Sequence, residues 1–278
     1  MQILNLINKE KSDIDYSISR FPDGEVQITL GEFSHKESIV VKCRITNAEE
    51  LFILAQIMDI LDRHDVLYTV EIYYLMSMRM DRVMDFNRPF SLMIVAKMLK
   101  MFKARKIYIL EPHSNRLLWD MSFFRELPCS ETWQLKTDFF STYQILFPDA
   151  GARTRYEKNL NSKYPSIFCS KIRDVNTGKL SGFKIENPED IKYDQIMIID
   201  DLCDGGGTFC GIASAVREVT PNISLSIFVT HMVNPRGIEN LSKTFDHVWF
   251  TNSYKDWKKD WEEQSIPFPE NVTQIEVV

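Results

Sequence analysis

Short apolar runs alternate with longer amphipathic segments along most of this chain. A first cycle runs from Ile39-Val40-Val41-Lys42-Cys43 through Asn47 to Arg63, then the apolar Val66 to Leu75, Pro89 to Phe102, and the apolar Lys106 to Leu110. Within Asn47 to Arg63, the positions Leu51, Leu54, Ala55, Met58 and Leu61 or Asp62 recur at spacings of three and four, which predicts a helix with one buried face. A second cycle follows, with Tyr143 to Leu146 leading into Asp149, Ser166 to Cys169 into Lys171, Ile196 to Ile199 into Asp200, and Ser224 to Thr230 into His231. Such alternation predicts an α/β fold of mostly parallel sheets covered by helices. Polar residues with chemical uses repeatedly stand just beyond an apolar run, where open α/β sheets place their ligands.

Length divides the pattern. A chain of 278 residues with 44% hydrophobic positions holds one large or two ordinary domains with proper cores. The two cycles place the junction between Leu127 and Ser141, giving expected domains of 1–133 and 134–278. No apolar run approaches the length of a bilayer span, and Met1-Gln2-Ile3-Leu4-Asn5 lacks the basic and hydrophobic regions of a leader, so a soluble, cytoplasmic protein without a membrane partner is expected. A formal charge of −6 argues against a bulk nucleic-acid surface and leaves room for a local anion pocket. Five cysteines, Cys43, Cys129, Cys169, Cys203 and Cys210, are odd in number and lack CxxC spacing, which speaks against a disulfide framework or a zinc site. The polar, turn-rich stretch Arg173 to Pro188 reads as a loop able to close over a substrate. The charged and aromatic Trp257 to Trp261 tail reads as a segment docked on a domain surface.

The most informative chemistry lies in Asp200-Asp201-Leu202-Cys203-Asp204-Gly205-Gly206-Gly207-Thr208-Phe209, straight after the apolar Ile196-Met197-Ile198-Ile199. Successive glycines let several backbone N–H groups converge on one anion, and a following helix adds the positive end of its dipole. With a phosphate at the glycines, a vicinal diol on the same ligand falls to the carboxylates at the strand end, so the pattern reads as a phosphoribose site of Asp200, Asp201, Asp204, Gly205, Gly206, Gly207 and Thr208. A Gly-rich turn with acids capping the next helix accounts for the same letters without a ligand. The Walker pattern does not apply, because Thr208 is followed by Phe209 and no Lys-Ser/Thr pair closes the glycines. Cys203 has no paired base in its neighbourhood and reads as packing.

Asp200 to Thr208 resembles the phosphoribosyl-diphosphate loop of the type I phosphoribosyltransferase fold, and four further stretches, in order, resemble the ribose-phosphate pyrophosphokinase (PRPP synthetase) family. Arg20-Phe21-Pro22-Asp23-Gly24-Glu25 is similar to that family's ATP-contacting hairpin, and Arg79-Met80-Asp81-Arg82 to its Arg-Gln-Asp segment. Glu111-Pro112-His113-Ser114 is similar to its metal segment, while Pro148-Asp149-Ala150-Gly151 and Lys171-Ile172-Arg173 are similar to its Pro-Asp-x-Gly segment and its mobile catalytic loop. Met80 in place of Gln, Glu111 in place of Asp and Gly205 in place of a common Thr depart from the pattern. The family's basic regulatory cluster is not clear in Arg82 to Arg88.

The resemblance implies two phosphoribosyltransferase-like domains and a reaction that moves the β,γ-diphosphate of ATP onto the anomeric hydroxyl of a ribose phosphate, releasing AMP. It implies Mg2+ held by His113 and Asp149, ATP contacts from Phe21, Asp23, Glu25 and Arg79, and charge neutralisation by Lys171 and Arg173, with Asp204 a candidate base. Phe21, Asp23 and Glu25 come from a neighbouring subunit in the family, which implies a homo-oligomer with shared ATP sites. Read without the resemblance, Pro22-Asp23-Gly24 is a turn, Lys171 and Arg173 are an exposed basic pair, and His113 is a cap or core residue. Ribose 5-phosphate is the default acceptor. Gly205 removes a hydroxyl near the expected 5-phosphate, and the loop, with Lys171-x-Arg173-Asp174-x-x-Thr177-Gly178-Lys179, is similar to a phage-associated branch that uses ADP-ribose in rebuilding NAD. ADP-ribose is the slightly favoured expectation. A phosphoribosyltransferase or a non-catalytic regulatory homologue is the rival reading.

Overall fold

The structure is a computed structural model that describes residues 1–119, 122–127, 142–157, 165–173 and 180–278. The chain divides into two compact units, Met1–Cys129 with Val278, and Ser130–Val277. The stretch 128–141, where the sequence puts the junction, lies outside the described residues.

The first unit contains β1 (Gln2–Asn5), β2 (Tyr16–Arg20), β3 (Val26–Leu30), β4 (Ile39–Ile45), α1 (Ala48–Arg63), β5 (Tyr68–Leu75), α2 (Ser91–Leu99), β6 (Lys106–Leu110) and β7 (Phe124–Leu127). Strands β1, β4, β5, β6 and β7 form a sheet in that spatial order, every pair parallel. Strands β2 and β3 form a separate antiparallel hairpin. Helix α1 starts where Asn47 caps it by accepting from the Glu50 N–H at 3.0 Å, while the Glu50 carboxylate accepts from the Thr46 N–H. These reciprocal bonds have the logic of a capping box. Leu51, Leu54, Met58 and Leu61 form the expected buried face together with Ile53 and Ile57. Helix α2 is shorter than the Pro89 to Phe102 pattern, with Phe90 at its N-cap and Lys100 at its C-cap.

The second unit contains β8 (Gln144–Phe147), α3 (Ala150–Tyr156), β9 (Ser166–Arg173), β10 (Leu180–Glu186), β11 (Gln195–Cys203), α4 (Gly207–Val219), β12 (Ser224–Met232), α5 (Pro235–Thr244), β13 (His247–Thr251), α6 (Trp257–Glu263) and β14 (Val272–Ile275). Its sheet has the order β10-β9-β8-β11-β12-β13-β14, and only the β10–β9 pair is antiparallel. Both units are thus mainly parallel sheets with helices, the expected α/β class. On β11 the side chains alternate between two cores, as strand geometry requires. Met197 and Ile199 pack with Ala152 and Tyr156 of α3, whereas Ile196 and Ile198 pack with Phe209, Ile212, Ile238 and Leu241 of α4 and α5.

Two expectations change. Lys171 and Arg173, which the resemblance implied to be in a mobile loop, lie on strand β9, and much of the stretch Arg173 to Pro188 is strand β10. Alternation there was masked by polar residues that an edge strand shows to solvent. Ile185 is buried, and a Cβ at Gly211 of α4 would come within 2.5 Å of the Phe183 ring, so the helix lies close against this strand. Residues 174–179, including Asp174, Thr177, Gly178 and Lys179, lie outside the described set. Trp257 and Trp261 are buried core residues, with the Trp257 indole donating to the Met232 carbonyl at 2.7 Å. Among the described residues no helix is long and apolar enough to cross a membrane.

Candidate active site

Strand β11 carries its apolar run through the middle of the sheet and delivers Asp200 and Asp201 at its carboxyl end. The chain then turns at Gly206, whose φ of +79° serves as the N-cap of α4 without any side-chain cap. An L side chain is strained at that angle, and a Cβ would also meet Leu241 Cδ2 at 3.3 Å. A Cβ at Gly205 or Gly207 would meet nothing within 4 Å. The backbone is therefore open beside the first amides of an uncapped helix, an arrangement that favours an anion.

Helix α5 braces this loop from behind. Asn234 Nδ2 donates to Asp204 Oδ1 at 2.9 Å, and Asn240 Nδ2 donates to the Gly205 carbonyl at 2.8 Å. Gly237 lies so close that a Cβ there would sit 2.3 Å from the Asp204 carbonyl oxygen and 2.8 Å from Met232 Sδ. None of these three was found from sequence. The available signal was the helix start at Asn234-Pro235, an N-cap residue before a first-turn proline. Burial pushes the Cys203 thiol far above its ordinary value, in keeping with packing rather than nucleophilic use.

The two acids differ. Asp201 is buried, and its Oδ1 lies 2.5 Å from Arg155 Nη1 of α3; Asp200 Oδ1 lies 3.8 Å from the same nitrogen and accepts the Asp201 N–H at 2.9 Å. Burial, with the Asp201 charge beside it, raises the Asp200 carboxyl well above the usual carboxylate range. Arg155 was missed by the sequence reading, which stopped at Gly151 in that segment.

Asp149 caps α3, its Oδ1 accepting the Gly151 and Ala152 N–H groups at 2.9 and 3.1 Å, while its Oδ2 pairs with Lys171 Nζ at 3.1 Å. Burial works to raise its pKa, but the Ala152 N–H, Lys171 and the Gly151 N–H outweigh it, so the carboxyl stays below its ordinary value. Lys171 and Arg173 are alternate residues on β9 and share a backbone face.

In the first unit, Phe21, Asp23 and Glu25 occupy the exposed β2–β3 turn. The Phe21 N–H donates to the Glu25 carbonyl at 2.8 Å, and Asp23 Oδ1 accepts the Glu25 N–H at 3.1 Å. Arg79 is exposed just beyond β5, and His113 is half-buried just beyond β6. Buried Asp81 lies near His113 and hydrogen-bonds Ser114, so the ends of these neighbouring strands bring together two of the resembling segments. The bond from Arg82, with that from Ser114, holds the Asp81 carboxyl below its usual range against the effect of burial. The two expected metal residues belong to different units. Among the described residues no group of three or more His, Cys, Asp or Glu side chains could hold a metal alone. Mg2+ needs less, since it keeps waters and takes oxygens from substrate phosphates. Asp149 fits that demand, with an ionised carboxylate whose side chain is 41% exposed.

No family model matches the chain. It is 28% identical over 257 residues to the ribose-phosphate pyrophosphokinase of Pyrococcus furiosus, a match covering 88% of each chain. Identity to the ribose-phosphate pyrophosphokinase of Pyrococcus abyssi is 25% over 255 residues, covering 89% of this chain and 87% of that one. The crystal structure of phosphoribosylpyrophosphate synthetase from Mycobacterium smegmatis superposes with a TM-score of 0.75 at 18% identity, over 97% of this chain and 88% of that chain, a likeness of fold. With relatives matched over most of their length, the chain is a distant homologue of the ribose-phosphate pyrophosphokinases and shares the fold of that synthetase.

Proposed function

We propose that the protein is a diphosphotransferase that moves the β,γ-diphosphate of ATP onto the 1-hydroxyl of a 5-phosphorylated ribose and releases AMP, with ADP-ribose as its preferred acceptor. The observation that carries the reading is the open backbone at Gly205 and Gly207, beside an uncapped helix start and one strand-end away from Asp200. A phosphate on the loop amides and a diol at the carboxylate orient the anomeric hydroxyl for attack on the β-phosphorus. The bond from that phosphorus to the oxygen bridging toward the α-phosphorus then breaks, and AMP leaves with that oxygen. Phosphoryl-group transfer depends on alignment and on neutralised oxygen charge. Lys171 and Arg173 supply fixed positive charge, the ammonium as a compact point and the guanidinium as a fork. With Lys171 turned to substrate oxygens, the Asp149 carboxylate would be free to hold Mg2+. The metal, when bound, adds neutralisation of the diphosphate. Asp204, one of whose oxygens already accepts from Asn234, is the candidate base for the hydroxyl proton. His113 and Arg79 are assigned to the metal and to the ATP phosphates, and Phe21, Asp23 and Glu25 to the adenosine end, supplied by a second copy of the chain.

The acceptor preference rests on Gly205. Where a Thr would offer a hydroxyl to a terminal phosphate, this loop leaves unfilled space that suits a 5-phosphate continuing into a larger group. The test is mass spectrometry of mixtures of Mg2+, ATP and either ADP-ribose or ribose 5-phosphate. The expected products are AMP and a 1-diphosphorylated ADP-ribose, with Lys171→Ala lowering kcat by roughly a hundredfold or more. Brisk turnover of ribose 5-phosphate without product from ADP-ribose overturns the acceptor assignment. Base exchange with pyrophosphate release in the absence of ATP would identify a phosphoribosyltransferase, and no AMP with either acceptor would favour a regulatory role.

A further inference from the structure

We propose that Arg155 is a positioning residue for acceptor binding, which occupies Asp201 and so leaves Asp200 as the carboxylate presented to the acceptor diol. The inference rests on the phosphoribose reading of this loop and deepens it, because the sequence treats Asp200 and Asp201 as equivalent grips. The structure separates them. The Asp201 side chain is 3% exposed and lies against the guanidinium at 2.5 Å, whereas that of Asp200 is 18% exposed and stands 3.8 Å from the same nitrogen. Alternation along β11 explains the split: Met197 and Ile199 face α3, and Asp201 continues that face toward Arg155. The Asp201 N–H in turn donates to Asp200 Oδ1 at 2.9 Å, which fixes the orientation of the accessible acid.

Arg155 also supplies the charge that makes the arrangement tenable. Two adjacent carboxylates at a buried strand end repel each other, and a cation beside both offsets that repulsion. The guanidinium comes from the last turn of α3, whose first turn is capped by Asp149, the partner of Lys171. A single short helix therefore carries the acid paired with Lys171 at its start and the guanidinium that occupies Asp201 at its end.

Steady-state kinetics of Asp200→Asn, Asp201→Asn, Arg155→Met and Arg155→Lys test this, with KM for ADP-ribose, ribose 5-phosphate and ATP measured separately from kcat. Asp200→Asn is expected to raise acceptor KM by about a hundredfold, and Asp201→Asn by about tenfold less, since an amide still accepts from Arg155. Arg155→Met is expected to raise acceptor KM about tenfold with ATP KM unchanged, and Arg155→Lys to recover part of the loss because it keeps the charge without the fork. Equal effects of the two aspartate variants overturn the inference, as does an Arg155→Met variant that alters ATP and acceptor KM alike. The aspartate comparison decides the matter even where Arg155→Met fails to fold. A wild-type protein that turns over neither acceptor overturns the phosphoribose reading itself, and this inference with it.

Discussion

The β11–α4 loop and the β2–β3 turn use the same vocabulary, an aspartate followed within two residues by a glycine in the left-handed region, and are held in opposite ways. In the loop, Gly206 at φ +79° packs against Leu241, Asn234 and Asn240 fix Asp204 and the Gly205 carbonyl, and Gly237 presses on the Asp204 backbone. In the turn, a Cβ at Gly24, with φ +93°, would meet nothing within 4 Å, and Asp23 accepts from the turn's own backbone at Glu25. The exposed Arg20–Glu49 pair ties the hairpin to α1. A surface pair of that kind is screened by solvent and contributes little. The loop is thus held by its neighbours, while the turn is held by its own hydrogen bonds. Changes at the loop's packed positions should therefore register in stability and in acceptor binding together, changes at its open positions in acceptor binding alone, and changes in the turn in nucleotide binding alone.

Gly237→Ala is the largest expected breach of this contrast. Its Cβ would lie 2.3 Å from a backbone oxygen, which moves only if the loop moves. Overpacking of this kind costs about 1–3 kcal/mol. Denaturant unfolding is expected to show that loss, and acceptor KM is expected to rise while ATP KM holds. Normal stability with normal acceptor KM would mean that α5 does not brace the loop.

Asp200→Asn sharpens the contrast in the other direction, because the loop keeps an acid at a cost in stability. The folded-state pKa of Asp200 is raised by burial and by Asp201. Its contribution to stability is therefore fully present below the unfolded-state value and lost as the pH rises through the folded one. An amide escapes that loss. The variant is expected to be more stable than wild type by on the order of 1 kcal/mol at neutral pH, with the difference vanishing in acid, although it binds the acceptor less well. Unfolding curves across a pH series check this, and a pH-independent difference would be the contrary result.

What was legible in the sequence follows the same division. Asp200 to Thr208 and Pro22-Asp23-Gly24 were readable because their chemistry is contiguous and their turn angles belong to glycine. Apolar runs marked β4, β5, β6, β8, β9, β11 and β12 but not the shorter β1, β7, β13 and β14, and the helical spacing of Leu51, Leu54, Met58 and Leu61 marked α1. Arg155, Asn234 and Gly237 were not readable, because each matters through a contact with a residue far away along the chain, and a glycine inside a helix carries no mark of what presses on it. Strand β10 was hidden for another reason: an edge strand covered on one face needs few apolar residues, so Gly182, Lys184 and Glu186 looked like a loop.

Phe21→Ala is the corresponding test in the turn. The ring is 47% exposed, so its loss is expected to change stability by no more than about 0.5 kcal/mol. If the turn contacts the adenosine end of ATP, KM for ATP rises about tenfold, the scale of one lost aromatic contact. Acceptor KM is expected to hold. A rise in acceptor KM, or none in ATP KM, would remove the turn from the nucleotide site.

Gly205→Thr has the smallest structural effect and the sharpest functional one. Unlike Gly24 and Gly206, Gly205 does not lie in the left-handed region, and a Cβ there meets nothing within 4 Å, so a side chain is admitted without strain. Loss of glycine's freedom in the unfolded chain is expected to offset the β-branched side chain's own ordering, leaving stability within about 0.5 kcal/mol of wild type. The new hydroxyl and methyl occupy the space assigned to the group beyond the 5-phosphate. Competition between equimolar ADP-ribose and ribose 5-phosphate, read by product mass, is therefore expected to shift toward ribose 5-phosphate by about tenfold, the scale of one gained hydrogen bond and one lost cavity. An unchanged ratio with unchanged stability would place the acceptor's distal group elsewhere and detach substrate choice from this glycine.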